Sequence, residues 1–185
     1  MKLSEYKETL TQPVRPRTVT FLVKDNDVCL GLKMRGFGKG NYLGIGGKVE
    51  NDKDNLTGSD DQIATAKNGA RREIKEEIGI DVQPEDLLLM GILRFYFPHI
   101  SDESWNQEVY VFVTDTWQGN PTAQVDSAGE IEIQPEWIKK NSLPLDKMWD
   151  DARFWLAGVL SAQKLDGEFL FDSALKVIDH EISYN

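Results

Sequence analysis

Apolar positions along the chain fall into short alternating runs on either side of one long helical stretch. Thr18 to Val23 (TVTFLV) is β-branched and aromatic and predicts a strand. Lys24–Asp27 makes a turn, and Val28 to Met34 returns as its hairpin partner. Residues 36–48, GFGKGNYLGIGGK, hold six glycines in thirteen positions. That excludes a regular helix and predicts a loop whose backbone approaches something closely. Residues 51–61 (NDKDNLTGSDD) are polar and turn-forming and predict an exposed loop. They do not make a calcium loop: counted from Asp52, Gly58 falls at the seventh place instead of the sixth, and Ile63 stands where the closing Glu belongs. Ser59-Asp60-Asp61-Gln62 has the form of a capping box, so a helix is expected from about Asp60 to Ile78. Its apolar line is Ile63, Ala66, Ala70, Ile74 and Ile78, and Gly79 supplies the stop.

Beyond Gly79, Leu87–Phe97 and Glu108–Asp115 read as strands, the second alternating Val109, Val111 and Val113. A turn at Gly119-Asn120-Pro121, a further run through Glu130–Ile138 and a helix from about Asp150 to Gln163 follow. Glu168–Phe171 and Leu175–Ile182 fit strand or helix. Residues 1–17, with Pro13 and Pro16, form a polar lead-in, and residues 18–185 a single domain. A mixed α/β fold is the natural outcome.

Composition narrows the function. Apolar residues make up 40% of the 185 and aromatics 10%, which is a folding composition and not a disordered one. A net charge of −10 excludes sequence-independent binding to nucleic acid polymers, which needs a basic face. A small anionic ligand stays possible where metal ions or local Lys and Arg neutralise it. The lone Cys29 forms no internal disulfide, and His99 and His180 are far apart, so no Cys- or His-rich zinc site is expected. The start of the chain has no apolar core of signal-peptide length, and no run approaches ~18 apolar residues. A cytoplasmic protein without membrane partner is expected, with a monomer as the default state.

The candidate chemistry lies on the first long helix, in Arg71-Arg72-Glu73-Ile74-Lys75-Glu76-Glu77-Ile78-Gly79-Ile80. At i, i+3 and i+4, Glu73, Glu76 and Glu77 share a sector of about 100° beside the apolar line. Three like charges there repel unless a cation lies between them, and a hard divalent cation such as Mg²⁺ takes such oxygen ligands. Glu and Lys are also simply good helix formers, so REIKEE alone fits a solvated acidic face, with Lys75 and Arg72 as partners, better than a metal site.

The neighbours make the motif specific. The sequence resembles the Nudix hydrolases, whose box reads G-x5-E-x7-R-E-U-x-E-E-x-G-U with U apolar. Arg72 to Ile80 match its second half without a gap, and Gly47 matches the leading glycine. The first half departs: Ala64 stands in register for the first Glu, and Gly47 precedes it by seventeen residues instead of six. The resemblance implies that this Glu supports the loop–helix junction, and Asp60 or Asp61 is the expected substitute. Similarity is greatest to the oxidised purine nucleoside triphosphatases of that family. It rests on GLKMRGFGKGNYLGIGGKV at 31–49, VTDTWQGNP at 113–121, PLDKMWDDARFW at 144–155 and GEFLF at 167–171.

The resemblance implies a Nudix α/β/α sandwich with a mixed central sheet. It implies Mg²⁺, with Mn²⁺ able to substitute, held by Glu73, Glu76, Glu77, the Gly46 carbonyl and Glu132, with Glu130 competing for the last place. Arg72 would buttress the carboxylates. Any of the three glutamates could be the base, Glu77 first among them. The substrate residues carried over are Thr18, Lys33, Phe95, Trp149, Asp151 and Phe171, with Tyr42 in place of a Trp and Leu43 in place of a base-contacting Asn. Phe95, Trp149 and Phe171 are equally expected as ordinary core. Ala152 replaces the second acid of a W-P-D-D motif, unless Asp150 and Asp151 form the pair. The expected reaction turns a nucleoside triphosphate, such as 8-oxo-dGTP, into monophosphate and pyrophosphate. Hydrolysis of other nucleotides or dinucleoside polyphosphates, and non-catalytic nucleotide sensing, are the alternatives.

Overall fold

A computed structural model describes residues 1–185. Eight strands form one mixed sheet. Strand β1 (Arg15–Lys24) turns into β2 (Asp27–Lys33), and the short β3 (Tyr42–Leu43) follows within the glycine-rich loop. After helices α2 (Asn51–Asp54) and α3 (Gln62–Ile78) come β4 (Leu88–Tyr96), β5 (Gln107–Thr114) and β6 (Ile133–Lys139). Helix α4 (Ala152–Leu160), β7 (Leu165–Phe171) and β8 (Val177–Tyr184) complete the chain. The order across the sheet is β3-β2-β1-β5-β4-β7-β8, with β6 also on β2. The β1–β5 and β4–β7 pairs are parallel, and the other pairs antiparallel.

Alternation along the strands sends side chains to two cores. Phe21, Leu93, Val111 and Phe169 pack with Trp155, Leu156 and Val159 of α4. Leu22, Cys29, Tyr110 and Phe112 pack with Ala66, Ala70, Ile74 and Ile78 of α3. The sheet is thus covered by a helix on each face, as expected of a sandwich. No helix is long and apolar enough to cross a membrane.

Beyond the hairpin end β1 and β2 splay apart, and residues 42–48 fill the gap. Tyr42 and Leu43 pair with β2, while Ile45 and Lys48 bridge to Thr20 and Arg17 of β1. That insertion carries the glycine loop to the N-terminal half of β1, where the candidate site residues gather.

Three expectations need correction, and one open choice is decided. Residues 1–17 are no loose lead-in: β1 begins at Arg15, and helix α1 (Leu3–Lys7) buries Leu3 and Tyr6 against Tyr96 and Leu170. The Leu3 N–H and Lys7 Nζ then reach Asp179 and Glu168, at 2.9 and 2.5 Å. The 51–61 segment is not all exposed loop, since α2 buries Asp54 to 1% exposure. The α3 cap is Asp61, whose carboxylate accepts from the Ala64 N–H at 3.0 Å, not Ser59; Ile63 therefore falls in the first turn, exposed. Glu168–Phe171 and 175–182, open between helix and strand, lie in the β7–β8 hairpin.

Candidate active site

The carboxylate cluster is built where α3 meets the glycine loop. Gly46 has φ +153°, and a Cβ there would lie 2.3 Å from the Thr18 carbonyl oxygen. At Gly47 a Cβ would lie 2.6 Å from the Glu73 carboxylate. Only glycines let this loop sit against both β1 and the helix. The Gly46 N–H then donates to Glu77 Oε2 at 3.1 Å.

Arg72 organises the other side. Its Nε and Nη2 fork onto Asp54 at 3.0 Å each, and Nη2 also reaches the Lys48 carbonyl at 2.8 Å. Nη1 donates to Glu73 at 2.8 Å and to Glu76 at 3.3 Å. Asp54, foremost, holds the guanidinium above its ordinary pKa. Asp54 also accepts the Glu50 N–H at 2.8 Å, which locks the loop to the helix. Asp54 is therefore the acid that meets the arginine, and Asp60 and Asp61 are not.

Within the cluster Glu73 and Glu76 share one guanidinium, and Glu77 makes no ion pair. Burial, then the nearby Glu73, push the Glu77 carboxyl up to about 8; burial also raises Glu73, against the pull of Arg72. Glu132, just before β6, contributes to the same field, while its ion pair with Lys33 keeps its own pKa low. Glu130 is further out, paired with Arg35 at 2.8 Å on the loop before β6. As these side chains stand, no three converge on one point. An all-oxygen set in which burial and mutual repulsion raise the pKa of Glu73 and Glu77 does fit a hard divalent cation.

Glu73, Glu76, Glu77, Glu132 and Lys33 line one cavity of about 720 Å³. A second, of about 960 Å³, adjoins it, sharing Arg17, Leu43, Gly46, Gly47 and Trp149 among its walls. Thr18, Tyr42, Leu43, Phe95, Trp149, Asp151 and Phe171 all line the larger one; Lys33 does not, being held at Glu132. Phe171 is 2% exposed and stacked on Phe97 at 5.0 Å, so it is core and cavity floor at once. The Thr18 hydroxyl is buried without a partner. Asp151 is buried, accepts from Trp155 Nε1 at 2.8 Å, and burial pushes its carboxyl up to about 6. Asp150 does not pair with it. Its oxygens instead face Arg153, Lys176 and the Val177 N–H, at 2.5, 3.1 and 3.0 Å.

Two wall residues escaped the sequence reading. Phe37 lies 5.2 Å from both the Trp149 and Trp105 rings and bridges the cavity mouth. Phe37 was hidden among glycines, and Trp105 lies in a polar connection, so neither carried a pattern.

Residues 14–158 match the NUDIX domain. The chain belongs to the NUDIX family. It is 32% identical over 165 residues to an oxidized purine nucleoside triphosphate hydrolase of Danio rerio, covering 89% of this chain and 92% of that protein. A Mus musculus protein of the same name is 29% identical over 168 residues, at 89% and 92% coverage. The MutT protein of Bacillus halodurans has the same fold, with a TM-score of 0.66 at 22% identity, covering 91% of this chain and 97% of that one. In this NUDIX chain the box is interrupted between Asp54 and the helix. Residues 55–61 lie outside both α2 and α3, and the Arg72–Asp54 contact spans them.

Proposed function

We propose that this NUDIX hydrolase is a Mg²⁺-dependent pyrophosphohydrolase of oxidised purine nucleoside triphosphates, working on free nucleotides in the cytoplasm. The observation that carries this reading is the junction of the two cavities. An aromatic chamber with one buried acid and one unpartnered hydroxyl opens directly onto the carboxylates. The names of the two relatives point to the same substrates.

Glu73, Glu76 and Glu77, with the Gly46 carbonyl and Glu132, would hold Mg²⁺, or Mn²⁺ in its place. Once bound, the ion would offset the triphosphate charge and ease deprotonation of the attacking water. Arg72 keeps Glu73 and Glu76 turned to one side of α3. Glu77, drawn to the Gly46 N–H, is the group we assign to take the proton from water. Water adds at a phosphorus atom, the phosphoanhydride bond breaks, and monophosphate and pyrophosphate leave.

In the larger cavity Trp149 would stack on the purine and Asp151 would meet its edge. With Asp150 turned away and Leu43 unable to hydrogen-bond, a single acid reads the base, so a narrower preference among oxidised purines is expected.

The test is a Mg²⁺-dependent assay of 8-oxo-dGTP, 2-hydroxy-dATP, dGTP, dATP and a dinucleoside polyphosphate, with monophosphate and pyrophosphate measured separately. One oxidised purine should lead, with pyrophosphate released. Equal rates for dGTP and 8-oxo-dGTP would remove the oxidised-base assignment and leave the hydrolase. Nucleotide binding without cleavage of any of the five would indicate a sensor.

A further inference from the structure

Five basic side chains line the carboxylate cavity: Arg17, Lys33, Arg35, Lys48 and Lys75. Three are already engaged. Lys33 pairs with Glu132; Arg35 reaches Asp126 at 2.7 Å and Glu130 at 2.8 Å; Lys75 meets Asp81 at 2.6 Å. Arg72, behind the glutamates, is taken up by Asp54, Glu73 and Glu76. Arg17 and Lys48 remain without an acidic partner.

Of these two, Arg17 is the one held in place. It lies on β1, bridged to Lys48 across the sheet edge, and the N–H of its neighbour Thr18 donates to the Gly47 carbonyl at 2.9 Å. Its Nε is buried with no hydrogen-bond partner, in a protein carrying ten excess negative charges. A buried guanidinium N–H left unmatched is costly and rare, and its fork geometry suits phosphate oxygens. Glu73 acts on it only through space; no carboxylate comes within ion-pairing distance. Arg17 also lines both cavities, so it stands at the seam between the aromatic chamber and the glutamates.

We propose that Arg17 is a substrate-binding residue whose guanidinium takes phosphate oxygens of the nucleotide where its phosphate chain crosses from the aromatic cavity to the carboxylates. This rests on the nucleotide reading above. Lys33, tied to Glu132, leaves that crossing to Arg17.

The test compares wild type, Arg17→Gln and Arg17→Lys, each checked for an unchanged melting temperature. Affinity is measured by calorimetry with Mg²⁺ present for three probes: an α,β-methylene analogue of 8-oxo-dGTP, the nucleoside 8-oxo-deoxyguanosine and inorganic tripolyphosphate. Arg17→Gln should weaken the analogue about 10- to 100-fold, as expected for hydrogen bonds between charged groups. Arg17→Lys should recover part of that, and nucleoside affinity should stay level. Undiminished analogue affinity in Arg17→Gln, or an equal loss for the nucleoside, overturns the assignment. If wild type binds tripolyphosphate but no nucleoside, the nucleotide reading fails instead. Tripolyphosphate then decides for Arg17: about 10-fold weaker binding in Arg17→Gln supports it, and equal binding overturns it.

Discussion

The two cavities share a wall and are built in opposite ways. The carboxylate side takes Glu73, Glu76 and Glu77 from five consecutive residues of α3, so one helix sets their spacing. The aromatic side takes Thr18, Tyr42, Phe95, Trp149, Asp151 and Phe171 from five strands and loops and the start of α4. In the first, the chemistry we propose follows from local geometry and from carboxylates that outnumber the one guanidinium set among them. In the second, it follows from tertiary packing, and the same rings also close the core, as Phe171 on Phe97 shows. Changes on the carboxylate side should therefore strike rate while sparing the fold. Changes on the aromatic side should mix binding with stability.

The sharpest break in that contrast is expected at Glu77. Glu77→Gln removes the carboxylate proposed as proton acceptor and metal ligand but keeps the shape and an oxygen for the Gly46 N–H. Turnover should fall between about 10²- and 10⁴-fold, with an unchanged melting temperature, the range for losing a general acid–base group. Near-wild-type kcat would remove Glu77 from the mechanism.

Asp54 should be next, and it tests whether the carboxylate side is as local as it looks. It is buried, and it is matched to Arg72 by a two-pronged ion pair. Asp54→Ala strips Nε of its only acceptor and leaves the guanidinium with just Glu73, Glu76 and the Lys48 carbonyl, so unfolding stability should drop on the order of 3 kcal/mol. Activity should fall with it, since Arg72 is then free to leave Glu73 and Glu76. Asp61→Ala, losing only a helix cap, should cost about 1 kcal/mol, and Asp60→Ala next to nothing. Urea titrations of the three variants decide it; a change below 1 kcal/mol for Asp54→Ala would show that Arg72 does not depend on this acid.

Asp54 also marks where the sequence stopped being legible. Helix α3, its glycine stop and its glutamates could be read because a 3.6-residue period and a motif both lie within one element. The hairpin and the Leu87–Phe97 and Glu108–Asp115 strands could be read from β-branched alternation. Counting back from Arg72 led to Ala64, because nearly all of the extra residues lie after the acid. Counting forward from Gly47 reaches position 53, one residue short of Asp54. Nothing local separates buried Asp54 from exposed Asp52, since the partner that buries it is eighteen residues away. Leu3 and Tyr6 failed in the same way: two apolar residues in a polar stretch make no period, and only Tyr96 and Leu170 give them a reason to be buried.

The smallest expected effect belongs to the aromatic side and has a pH signature. Asp151 is buried, the charge that acts on it is the like-charged Asp150, and Trp155 Nε1 is its donor. Burial raises its carboxyl from 3.8 to about 6. The native state therefore holds a proton that the unfolded chain releases above pH 3.8. The stability this confers is complete below that value and is lost as pH rises through about 6. The loss is at most about 3 kcal/mol, from a rise of some two pH units at about 1.4 kcal/mol each. Asp151→Asn does not titrate and can still accept from Trp155. Its stability should gain on wild type between pH 4 and 6.5 by up to that amount, while its affinity for an oxidised purine triphosphate falls about 10-fold. Urea unfolding of both proteins across that range reads the first, and KM the second. A stability difference that does not change with pH would mean that Asp151 is charged in the fold, and the purine would then meet an acceptor there and no donor.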